Sequence, residues 1–117
     1  MTGNRIKVHQ VWAAVDCGEV INPDTATAQI EGGIVFGLSA ALFSEITLRD
    51  GRVEQTNFVD YPLPKLADVP RITVEFIRSG AALGGLGEPG VPPVAAAVAN
   101  AVFALTGKRL RSLPLVL

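Results

Sequence analysis

The run ALGGLGEPGVPPVAAAVANA, residues 82–101, sets one carboxylate, Glu88, among glycines and prolines, and no acidic residue follows it. Two kinds of chemistry suit such a setting. The first is phosphate binding, because residues 85–90 spell G-L-G-E-P-G, formally the glycine pattern of a dinucleotide-binding turn. That pattern works by aiming free helix N–H groups at a pyrophosphate, and Pro89, Pro92 and Pro93 remove three such donors. The acid expected about 20 residues later to hold a ribose is also missing, so the match is treated as accidental. The second is proton transfer. Pro89 pushes Glu88 toward extended geometry, and the flanking glycines keep other side chains away. A carboxylate in a tight apolar loop has its charged form disfavoured by desolvation, which raises its proton affinity. Glu88 therefore reads either as a general base or as a solvated acid complementing the dipole of the next helix. Composition leaves both open.

The elements that must position this loop follow from periodicity. RIKVHQVWAAVDCG, from residue 5, alternates with Ile6, Val8, Gln10 and Trp12 on one side, then turns apolar on both faces, as a strand entering a core does. Asn22 before Pro23 is a helix start, with Asp24 in the first turn. The helix is expected to run to about Ser44, with Ile30, Ile34, Leu38, Ala41 and Leu42 inward. Gly32, Gly33 and Gly37 each cost about 1 kcal/mol relative to alanine in a helix interior, so close approach by a backbone or ligand is expected there. EITLRDGRVEQTNF is a hairpin around Asp50 and Gly51. Residues 59–70 carry three prolines and read as a connecting loop. RITVEFI is a further strand, with Ile72, Val74 and Phe76 on one side. Pro92 and Pro93 open a second helix whose face is Val94, Val98, Ala101, Val102 and Leu105, closed by Gly107. The order β, α, β, β, β, α predicts an α+β domain, with a mixed or antiparallel sheet and two main helices on one face. His9 reads as a strand residue and Cys17 as a small packed one. Trp12, Phe36, Phe43, Phe58 and Phe76 read as core or interface anchors.

Bulk properties narrow the function classes. Residues 1–117 suffice for one domain, with residues 1–4 read as a cut or appended end. A net charge of -1 gives no electrostatic preference for nucleic acid. One cysteine and one histidine cannot assemble a structural zinc site within the chain, and no protein metal ligand is expected. No signal pattern or membrane span is read. With 49% hydrophobic and 18% charged residues, part of the apolar surface is expected to be covered by another domain, subunit or copy.

Two segments carry a family resemblance: AVDCGEVINPDTATAQIEGGIVFGLSAALFSEITLRDGRVEQTNFVDYPLPK, and GGLGEPGVPPVAAAVANAVFALTGKRLRSLPL. Together they resemble the C-terminal part of the molybdenum-binding subunit of xanthine dehydrogenase-family hydroxylases, most closely the isoquinoline 1-oxidoreductase beta and aldehyde dehydrogenase types. The resemblance implies that Glu88, in the G-E-P segment, takes a proton from the water-derived oxygen that attacks an N-heterocycle or aldehyde. It implies that Gln29, in Q-x-E-G-G, approaches the pterin, with Gly32 and Gly33 behind it and Gly85 and Gly87 also at the cofactor. Asp16, Gly18, Asn22 and Pro23 match a D-x-G-x-x-x-N-P segment that starts the helix. The implied cofactor is molybdopterin cytosine dinucleotide. The implied partners are the remaining domains of the subunit and a ferredoxin-like 2Fe-2S subunit, in a cytoplasmic or periplasmic parent enzyme. By itself the 117-residue chain is expected to hold no cofactor and to be inactive; the alternative is a structural or assembly domain that docks on other domains or self-associates.

Overall fold

Residues 5–117 are described by a computed structural model, and the expectation for residues 1–4 lies outside them. The elements are β1 (Gln10–Val15), α1 (Pro23–Leu42), β2 (Leu48–Arg49), β3 (Arg52–Val53), a 3-10 turn (Leu66–Asp68), β4 (Arg71–Phe76) and α2 (Pro93–Thr106), the order expected from the sequence. The Asn22 side chain accepts a hydrogen bond from the Thr25 N–H at 3.1 Å and caps α1, with Pro23 in the first turn. Asp50 (φ 51°) and Gly51 (φ 74°) both take the left-handed conformation that a type I′ hairpin turn requires. Gly107 (φ 73°) ends α2, its N–H donating to the Phe103 carbonyl at 2.7 Å. Among the described residues, no helix is long and apolar enough to cross a membrane.

The strands form two separate pairs rather than one sheet. β1 and β4 are parallel, from Gln10 opposite Arg71 to Val15 opposite Phe76, while β2 and β3 are antiparallel. Parallel neighbours need a long crossover, and α1 with the hairpin segment supplies it. The core joins Ile30, Ile34, Leu38 and Ala41 of α1 to Val94, Val98 and Val102 of α2 and to Leu115. Val11, Ala13, Val15, Ile72, Val74 and Phe76 pack beneath, so both helices lie on one face of the parallel pair. The Leu115 N–H also donates to the Ala41 carbonyl at 2.7 Å, tying the C-terminal tail to the end of α1.

Three expectations change. Trp12 is 71% exposed, because the inward residues of β1 are Val11, Ala13 and Val15, and strand alternation then turns Trp12 outward. The inward set of Ile6 and Val8 shifts by one residue where β1 begins. Phe36 and Phe58 are 70% and 81% exposed, which leaves them no core role, whereas Phe43 and Phe76 are half-buried. Ala101 and Leu105, expected in the core, are exposed along a groove beside β1. Residues 44–70 make an arm joined to the body at its ends, where Ser44 bonds Ser39 of α1 and Pro70 is buried, while β2 and β3 approach each other and no other element. The arm is held by its own polar contacts. Gln55 accepts from the Thr47 N–H at 2.8 Å and donates to the Thr47 hydroxyl at 2.9 Å, and Arg49 pairs with Glu54 at 2.8 Å.

Candidate functional site

Because β1 and β4 are parallel, both end at the same edge of the sheet, the edge from which loops of α/β units usually build sites. Asp16 follows β1 directly, and its Oδ1 accepts from the Gly18 N–H at 3.2 Å and from the Ser79 hydroxyl at 2.8 Å, joining the two strand exits. Gly18 has φ 72°, and a Cβ there would run into the Ala82 and Ala81 carbonyls, so only glycine fits. The Gly84 N–H donates to the Cys17 carbonyl at 2.8 Å, drawing the glycine loop across the strand ends, with Cys17 buried beneath it.

The loop then seats on α1. The Val91 N–H donates to the Glu88 carbonyl at 2.9 Å, closing a four-residue turn with Pro89 and Gly90 at its centre. A Cβ on Gly90 would lie 2.8 Å from the Ile30 carbonyl oxygen and 3.3 Å from Gly33 Cα, so the turn meets the helix backbone to backbone. One helical turn on, a Cβ on Gly37 would lie 2.8 Å from the Val91 carbonyl oxygen. Gly33 and Gly37, four residues apart, thus form a trough for residues 90–94.

Gln29 makes the second attachment. Its Nε2 donates to the Gly87 carbonyl at 2.6 Å, bridging segments 58 residues apart and fixing the residue before Glu88. The structure therefore brings Gln29, Gly87 and Glu88 together. Glu88 itself is exposed, and glycine neighbours carry no side chains to cover it, so the burial expected from the sequence is not supplied within the chain. The glycines divide sharply. Gly33 is accounted for by Gly90, whereas Cβ atoms on Gly32, Gly85 and Gly87 would meet nothing within 4 Å. None of these three has positive φ. Conformation and internal packing give them no reason to be glycine; Gly85 lies two residues before Gly87, and Gly32 three residues after Gln29 on α1. Among the described residues, no cluster of three or more His, Cys, Asp or Glu converges as a metal site. Sequence reasoning missed the Asp16–Ser79 link and the part played by Gly90; the four-residue spacing of Gly33 and Gly37 was the available signal for the latter.

The exit loops of the parallel strand pair thus present a lone carboxylate in a glycine-rich segment tied to α1, and the chain belongs to the molybdopterin cofactor-binding domain family, whose model matches residues 2–70. The domain is that of the xanthine dehydrogenase family. The chain is 41% identical over 112 residues to the isoquinoline 1-oxidoreductase subunit beta of Brevundimonas diminuta, covering 96% of this chain and 14% of the relative. It is 34% identical over 118 residues to the xanthine dehydrogenase molybdenum-binding subunit of Escherichia coli O157:H7, covering 95% and 16%. The crystal structure of quinoline 2-oxidoreductase from Pseudomonas putida 86 superposes with TM-score 0.84 at 30% identity, covering 92% of this chain and 15% of that one. The chain thus spans about one seventh of the length of such relatives. The family match stops short of Glu88, but the alignments with the relatives extend over nearly all of the chain.

Proposed function

We propose that the chain forms one wall of the active site of a molybdenum hydroxylase that oxidises an aldehyde or an N-heterocycle, with Glu88 as general base. The observation that supports this reading is the 2.6 Å hydrogen bond from Gln29 to the Gly87 carbonyl, which ties the loop carrying Glu88 to α1. Gln29, Gly32, Gly85 and Gly87 would face the cofactor, molybdopterin cytosine dinucleotide, since a flat group can approach the backbone where no Cβ intervenes. Gly33 serves the same site one step back, by seating the Gly90 turn. When bound, the cofactor supplies the redox centre that accepts the substrate's two electrons. Glu88 would take a proton at its carboxylate from the water-derived oxygen that attacks the substrate carbon, and the Gln29 bond fixes the main chain at Gly87, the residue before it. The remaining domains of the subunit complete the pocket and desolvate the carboxylate, and a 2Fe-2S subunit carries electrons away.

In the assembled molybdenum enzyme, Glu88→Gln is expected to lower turnover by about 10²- to 10⁴-fold with molybdenum content unchanged. Turnover close to that of the unsubstituted enzyme would reject the base assignment. The second reading, an assembly domain without catalysis in isolation, is favoured by the exposure of Phe58, Val59 and Leu66 on the arm. Saturable binding of molybdopterin cytosine dinucleotide by the 117-residue chain would count against it.

A further inference from the structure

The register of the parallel pair shows which main-chain groups of β1 have no partner. The Arg71 N–H donates to the His9 carbonyl at 3.0 Å, and the Ile77 N–H to the Val15 carbonyl at 2.8 Å. In a parallel ladder the bonding residues of a strand alternate, so residues 9, 11, 13 and 15 face β4. Gln10, Trp12 and Ala14 direct their N–H and C=O groups to the opposite edge, where no described strand pairs with them. Beside that edge lies a groove of about 480 Å³, walled by Ile6 and Val8 before β1, by Val98, Val102 and Leu105 of α2, and by Leu117. No residue of β4 lines it. The helices explain why it is there. α1 packs against β4 and α2, whereas α2 lines the groove together with β1 and not with β4. α2 therefore overhangs the side of β1 away from β4, where a third strand would run.

We propose that an extended segment with alternating apolar side chains, from the part of a molybdenum-binding subunit outside these 117 residues, adds to the open edge of β1 and fills the groove beneath α2. The unpaired main-chain groups select a strand as occupant. The apolar walls set the side chains it must carry on alternate positions. The source is argued from size: this chain matches 14% of the isoquinoline 1-oxidoreductase subunit beta, which leaves most of such a subunit to supply the strand. Exposure of Leu105 (72%) is then the exposure of an uncovered interior. The proposal rests on reading the chain as part of such a subunit, but not on Glu88 as base.

The test uses synthetic peptides of about 10 residues, one strand long, tiling the unmatched part of the Brevundimonas diminuta subunit. Each is added to the 117-residue chain while amide exchange is followed by NMR. One peptide is expected to slow exchange at Gln10, Trp12 and Ala14. Trp12→Pro removes an edge donor without touching the β4 ladder and should weaken that peptide by about tenfold or more. Leu105→Asp, at an exposed position, should weaken it similarly by charging the groove, with circular dichroism unchanged. Failure of every peptide to protect those three amides overturns the proposal, as does binding insensitive to Leu105→Asp, or pairing of two copies of the chain through β1. Protection confined to Gln29 and residues 85–88 would overturn it while leaving the molybdenum-enzyme reading intact.

Discussion

The trough on α1 and the arm of residues 44–70 are built on opposite principles. In the trough, Gly33, Gly37 and Gly90 allow backbones to touch, and every ångström of approach is used by atoms of the same chain. In the arm, Phe58, Val59 and Leu66 are exposed at 81%, 87% and 88%, and the hairpin is held by side-chain hydrogen bonds and one ion pair rather than by a core. The trough is closed by atoms of the same chain, whereas the arm leaves large apolar side chains uncovered. Yet the superposition with quinoline 2-oxidoreductase covers 92% of the chain, more than could be reached without most of the arm. Its shape is therefore retained within a chain several times longer, although little in these 117 residues enforces it.

This contrast can be broken most severely at Gly37. Gly37→Ala places a Cβ against the Val91 carbonyl and the Val94 side chain, and about 2 kcal/mol of stability should be lost to the forced backbone shift, read by urea denaturation. A variant as stable as the parent would mean that the trough is loose. Five residues earlier on the same helix, Gly32→Ala meets open space and should stabilise the chain by up to about 1 kcal/mol through helix propensity alone. In an assembled enzyme the same change should lower cofactor content, and loading unaffected by it would remove Gly32 from the cradle. The smallest effect belongs to the arm. Phe58→Ser with Leu66→Ser should move the unfolding free energy by less than about 0.5 kcal/mol, because neither side chain is buried. A larger loss would show that the arm contributes to the core after all.

Much of this architecture is legible locally. Asn22 before Pro23, the Asp50 and Gly51 turn, the alternation of Ile72, Val74 and Phe76, and the glycine after α2 each act within a few residues, so a sequence displays them in full. The failures share one cause. Trp12, Ala101 and Leu105 are apolar with the correct spacing, but what they face is decided by the phase of β1 and by an edge that no described residue covers. The site divides the same way. Glu88 stands out by composition, whereas Gln29 is an unremarked polar residue on a helix until resemblance selects it, and the contact between the two segments spans 58 residues. Conversely, the expectation of a desolvated Glu88 follows from treating glycines and prolines as an apolar environment, when residues lacking side chains expose their neighbour instead.

The tail of the chain bears on where this domain can be divided. Leu115 is only 5% exposed, and its N–H donates to the Ala41 carbonyl at the far end of the first helix. A truncation at Thr106, where the last helix stops, would pull a plug from the middle of the hydrophobic interior; one at residue 70, where the family match stops, would leave β1 without its neighbour. Mechanical integrity here extends to residues that no catalytic motif would lead one to keep.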